Sequence, residues 1–118
     1  MKHVDAVNDD FLVACLDIGH AEMRGSGDGA VNMIRALGHR LQALHLHDND
    51  QWHDSHQIPG SMKIDFPAVV KALKEIDYSG DFTLEADCYL RKFTAKTALE
   101  GMKDLAESAR KLVRMFEE

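Results

Sequence analysis

Three short apolar runs set the fold: FLVACLDIG (11–19), RLQALHLHD (40–48) and DFTLEAD (81–87). Each is followed by a stretch whose apolar residues recur every three or four positions. The first run is almost continuously apolar, the pattern of a strand covered on both faces, as in a parallel sheet. After it, 28–38 reads as a helix with Asp28 as its cap, a stripe of Val31, Ile34 and Leu37, and Gly38 at its end. In the second run, Leu44 and Leu46 share one face with Gln42, while Leu41, Ala43, His45 and His47 take the other. A second helix falls within 64–80, capped by Asp65 with Pro67 in the first turn, where a missing N–H costs little. Val70, Leu73 and Ile76 are its buried stripe. The third helix spans 94–117, capped by Thr94, with Leu99, Met102, Leu105, Ala109, Leu112 and Phe116 on one face. With a short helical segment in front, the order is strand–helix three times over. That predicts an α/β domain with a parallel sheet and right-handed crossovers. At 118 residues, the chain reads as one domain over 1–118.

The polar residues gather where such a sheet would present them. Asp17 closes the first strand, His45 and His47 the second, and Glu85 the third. Parallel α/β folds bind ligands at the carboxyl ends of their strands. Two carboxylates and an imidazole suit a divalent ion: manganese, cobalt, magnesium, iron or zinc. His20, three residues past Asp17, is placed to meet a substrate oxygen or to support a ligand. The segment 44–56 holds four histidines and three aspartates, but only His45 and His47 sit at a strand end. Asp54 and His56 lie beyond it in a polar loop, as candidate substrate or extra metal contacts together with His47. Trp52, in the same loop, is an aromatic that could shield the site.

Other chemistries find no support. The net charge is −6 and no Lys/Arg run exceeds two residues, so the basic face that nucleic acid needs is missing. GSGDG (25–29) lacks the Lys-Ser/Thr of a phosphate-binding loop and reads as a flexible loop leading into a helix. No serine nucleophile elbow occurs. Cys15 and Cys88 form no CxxC pair and read as buried reduced thiols. No signal peptide and no membrane-length apolar run are present, so a cytoplasmic location is expected.

Taken together, CLDIGHA (15–21), LHLHDND (44–50), DSHQIPG (54–60), IDF (64–66) and GDFTLEA (80–86) resemble the xylose-isomerase-like TIM barrels. The nearest group is the sugar phosphate isomerases and epimerases. Members hold one divalent metal with Glu, Asp, His and Glu from four strand ends. The resemblance implies that Asp17, His45 and Glu85 are three of those ligands. His45 is preferred to His47 because HLHD fits the group's His-x-x-Asp pattern. His20 becomes the substrate-contacting histidine, and Glu85 doubles as an acid/base for moving a proton next to a sugar carbonyl. The substrate implied is a small sugar or sugar phosphate.

Two departures follow. Pro59-Gly60-Ser61-Met62 lacks the second glycine of the usual Pro-Gly-x-Gly loop. The resemblance also covers only the last three β/α units, without the strand bearing the first Glu ligand. A full barrel takes about 200–250 residues or more. The expectation is therefore a partial TIM barrel, incomplete as a monomer and inactive alone. Its open edges predict self-association, or pairing with a separate N-terminal half, unless the chain is part of a longer enzyme. Two alternatives remain open: an endonuclease IV-like metal hydrolase, since Asp54-Ser-His56 resembles its Asp-x-His pair, and a non-catalytic oligomerisation module.

Overall fold

A computed structural model describes residues 2–118. The order is α1 (Lys2–Val7), β1 (Ala14–Asp17), α2 (Ile18–Ala21), α3 (Gly29–Leu37), a 3-10 turn (Gly38–Arg40), β2 (Leu41–Leu46), α4 (Phe66–Glu75), β3 (Phe82–Leu84), α5 (Asp87–Leu90) and α6 (Ala98–Glu117). The strands form one open parallel sheet in the order β1-β2-β3. Asp17 pairs with His45, His45 with Thr83, and Leu46 with Leu84. The predicted α/β class and parallel sheet are what forms: three units of a barrel wall.

Alternation along the strands splits the sheet into two unlike faces. Leu44 and Leu46 are fully buried, with Leu16, Phe82 and Leu84 packed beside them. The α3, α4 and α6 helices cover this side through Ile34, Val69, Leu73 and Leu112. The opposite face carries Cys15, Ala43 and Thr83, all exposed. In a closed barrel this face would look inward.

That asymmetry corrects several sequence expectations. Cys15 is exposed rather than buried, and Cys88 is half-buried. The first strand starts only at Ala14. Phe11, 95% exposed, and Leu12 and Val13 precede it, outside the core. An apolar run signals burial in the closed barrel and cannot register that one side is open here. Leu41 is buried and Gln42 exposed, because the pairing register shifts between Ala14 and Cys15 at the start of the sheet. His47 does not share His45's face. The strand ends at Leu46, and His47 is fully buried.

Helix caps divide in the same way. Asp65 caps α4 as predicted, accepting from the Ala68 amide at 3.0 Å, with Pro67 in the first turn. Gly38 ends α3 with φ 54°, a conformation glycine adopts freely. Asp28, however, makes no side-chain cap. The α3 amide of Ala30 donates instead to Glu22 Oε1 at 2.7 Å, across the glycine loop. The last helix begins at Ala98, not Thr94. Thr94 and Thr97 bond to each other in the turn before it, the Thr94 amide donating to Thr97 Oγ1 at 2.9 Å. Among the described residues, no helix is long and apolar enough to cross a membrane.

Candidate functional site

Strand register brings the first group of polar residues together. Asp17, the last residue of β1, stands level with His45 on β2. The Glu85 amide donates to Leu46 O at 2.9 Å, which continues the β2–β3 ladder one step and sets Glu85 beside them. Alternation puts all three side chains on the open face, each two residues beyond Cys15, Ala43 or Thr83 on its own strand. His45 Nδ1 lies 3.0 Å from Glu85 Oε2 and 3.9 Å from Asp17 Oδ2. One donor atom from each of the three falls within 4.8 Å of the others. Two carboxylate oxygens and an imidazole nitrogen, partly exposed and close together, fit the coordination shell of a divalent ion.

A second group adjoins the first. His20 Nδ1 is 3.0 Å from Asp17 Oδ2, and its Nε2 is 3.1 Å from Asp54 Oδ1. His56 Nε2 approaches the same Asp54 oxygen at 3.0 Å. His47 links the groups. Its Nε2 lies 3.0 Å from Asp17 Oδ1, and its ring stacks on His56 at 3.9 Å between centroids, 7° from parallel. His20 meets both rings edge-on. Neither His47 ring nitrogen has a well-aligned hydrogen bond among the described residues, although the side chain is fully buried. The sequence treated His47 as a stand-in for His45. The structure gives each a separate place, His45 beside Glu85 and His47 beneath His20 and His56.

The local fields favour cations. Burial alone would push the Asp17 carboxyl up, but the His47 imidazole 3.0 Å away and the hydrogen bond from the His20 amide outweigh it and hold the carboxyl far below the usual range. Asp54 is also lowered: burial opposes, while the hydrogen bond to His20 and the nearby His56 and His47 prevail. The His20 imidazole is raised. Burial works against its charge, but Asp54, Asp17 and Glu85 stabilise it more.

The sequence assigns Asp48 and Asn49 no role. Both are fully buried. Asn49 Nδ2 donates to the Gly19 carbonyl at 2.9 Å, and Asp48 accepts four backbone amides. The signal that could have found them is the Asp of HLHD, a carboxylate at the mouth of a long loop whose amides need acceptors. His53, by contrast, joins neither group. It turns outward to Asp50 at 2.8 Å, and Asp50 in turn caps the Trp52 and His53 amides. Trp52 stays 59% exposed, with the Arg24 guanidinium 4.1 Å above its ring.

Comparison with known proteins extends these observations. An uncharacterized protein of Methanocaldococcus jannaschii (MJ1311) is 34% identical over 85 residues, covering 72% of this chain and 28% of the relative. An uncharacterized protein of Sinorhizobium fredii (y4fM) is 33% identical over 76 residues, covering 64% of this chain and 24% of the relative. The chain thus spans about a quarter of the length of these curated relatives. Two solved structures share the fold. A D-allulose 3-epimerase from Methylomonas sp. superposes with a TM-score of 0.68 at 24% identity, over 96% of this chain and 40% of that one. A D-tagatose 3-epimerase-like protein does so with a TM-score of 0.61, also at 24% identity, over 90% of this chain and 38% of that one. The open three-stranded sheet is part of such a barrel. With a family match running from residue 1 to residue 117, the chain belongs to the xylose isomerase-like TIM barrels.

Proposed function

We propose that this chain carries one wall of the active site of a metal-dependent sugar isomerase or epimerase. The observation that supports it best is the meeting of Asp17, His45 and Glu85 at the ends of three adjacent strands. They would hold a divalent ion, with a fourth ligand from a strand outside these three. The bound ion would supply Lewis acidity toward neighbouring oxygens of a sugar. The side chains do the rest. Glu85, half-exposed on the open face, takes or returns a proton on the carbon next to the carbonyl. His20, exposed, meets Asp17 and Asp54 with its two ring nitrogens, and its Nε2 would have to leave Asp54 to donate a hydrogen bond to a substrate oxygen. His45 and Asp17 keep Glu85 oriented.

Cobalt(II) or manganese(II) titration of the full chain tests the assignment. Asp17→Ala and Glu85→Ala should each weaken binding by about tenfold or more. Binding as tight as the parent's in both variants would sink the ligand assignment.

The convergence of His20, Asp54 and His56 favours a second reading, an endonuclease IV-like hydrolase using additional metal at that group. The net charge of −6 weighs against a DNA substrate. Incision of abasic-site DNA would establish it, and a lack of incision with metal supplied would leave the sugar reading in place.

The exposed inner face, with Phe11, Leu12 and Val13 at its base, supports pairing with further strands through self-association. Light scattering after gel filtration is expected to show a species larger than 13.2 kDa. A strict monomer at all concentrations would refute self-association.

A further inference from the structure

Between β2 and α4 the chain has no helix or strand. Its only regular pairing there among the described residues is one antiparallel bridge, Asp48 with Gln57. A loop of that length must find acceptors for its own amides. Four of them converge on one side chain. Asp48 Oδ1 accepts from the Asn49 amide at 2.9 Å and the Ile64 amide at 3.1 Å. Its Oδ2 accepts from Gly60 at 3.0 Å and Met62 at 2.8 Å. The Asp48 backbone makes a fifth and sixth tie, donating to Gln57 O at 2.8 Å and accepting from Gln57 N at 3.0 Å. The side chain is fully buried. A carboxylate is costly to bury unless its lone pairs are filled, and here the loop it closes fills them.

The closed loop carries Asp54 and His56. Neither has secondary structure to hold it. His56 also sits at φ 42°, a left-handed conformation that a non-glycine keeps only when its surroundings impose it. In that position its ring stacks on His47, and its Nδ1 lies 2.9 Å from the Glu85 carbonyl oxygen. Asp54, two residues earlier, reaches both His20 and His56.

We propose that Asp48 is the positioning residue of this site: its buried carboxylate holds the 49–64 loop shut and thereby sets His56 and Asp54 against His47 and His20. The proposal goes beyond the functional reading above, because it holds for an isomerase or a hydrolase alike.

The test compares the 118-residue parent chain with Asp48→Asn and Asp48→Ala by NMR, without metal or substrate, so its outcome is separate from that of the metal titration. Asn keeps one accepting oxygen and Ala none. Amide exchange at Gly60, Met62 and Ile64 should quicken by about tenfold or more in the Asn variant, and further in Ala, relative to Leu44 and Leu73. The His56 ring protons, shifted in the parent by the parallel His47 ring, should move toward free-histidine values in the same graded order. A general loss of stability would not move that shift while the core amides stay protected. The proposal is overturned if the His56 shift and the loop protection survive in Asp48→Ala. It is equally overturned if core and loop amides lose protection together in Asp48→Asn, or if neither variant folds, since Asp48 would then be a folding residue alone.

Discussion

The His47 ring occupies the space where a side chain at Gly19 would stand. A Cβ on Gly19 would come within 2.0 Å of His47 Cε1. The backbone after β1 can approach this buried imidazole only because residue 19 has no side chain. Gly19→Ala should displace the ring and cost about 1–3 kcal/mol, as overpacking does in a filled core. Urea denaturation measures the loss, and the His47–His56 ring-current shift should collapse with it. An unchanged shift would mean that the loop yields rather than the ring.

The start of α3 offers a test of who caps whom. Ala30 donates to Glu22 Oε1 and Asp28 caps nothing. Glu22→Ala should therefore destabilise the chain by about 1 kcal/mol, the usual cost of a lost cap. Asp28→Ala should leave the denaturation midpoint nearly unchanged. The reverse ranking would restore the cap that the sequence suggested.

Tyr78 makes stability depend on pH at the alkaline end. Its hydroxyl donates to the Asp81 carbonyl at 3.0 Å, and the residue is 5% exposed. Burial, with the Asp81 charge and Cys15 nearby, pushes its pKa up to about 12. An unfolded tyrosine titrates near about 10. The folded state thus holds the proton more tightly. The stabilisation is complete below about pH 10 and drains away as pH rises toward 12. Tyrosinate absorbance should show one of the two tyrosines ionising only near the top of that window, and Tyr78→Phe should abolish that late phase.

Trp52 is the single tryptophan and reports on the contact between the glycine loop and the loop after β2. Arg24 covers one face of its ring, and the Arg24 amide donates to Gln51 O at 2.9 Å, tying the glycine loop to the loop after β2. Arg24→Ala should shift Trp52 emission to the red and raise its quenching by iodide, with core stability unchanged. Emission identical to the parent's would show that the cation does not shield the ring.

The sequence carried much of this arrangement, and the losses have identifiable causes. Asp17, His45 and Glu85 could be read because a strand end is a local feature: an apolar run stops and a polar residue follows. Asp65 and Pro67 were equally local. Asp28 misled because Glu22, six residues earlier, reaches across the glycine loop to take its place. Asp48 escaped because its partners lie as far along the chain as Ile64, and no period links a carboxylate to the amides of a loop. Cys15 and Phe11 to Val13 were misjudged for a different reason. Their apolarity belongs to a closed barrel, and three strands leave that side uncovered.

The open face has a consequence for whatever closes over it. Cys15 and Ala43 stand abreast on it, and Thr83 follows one step higher, level with His45: three small side chains on one surface. Barrel interiors are filled in layers to which alternate strands contribute, with no central void. Strands completing this barrel must therefore bring bulk to the level of Ala43, long aliphatic or aromatic groups projecting across the axis. The three residues thus act as a mould that specifies the size of its counterpart.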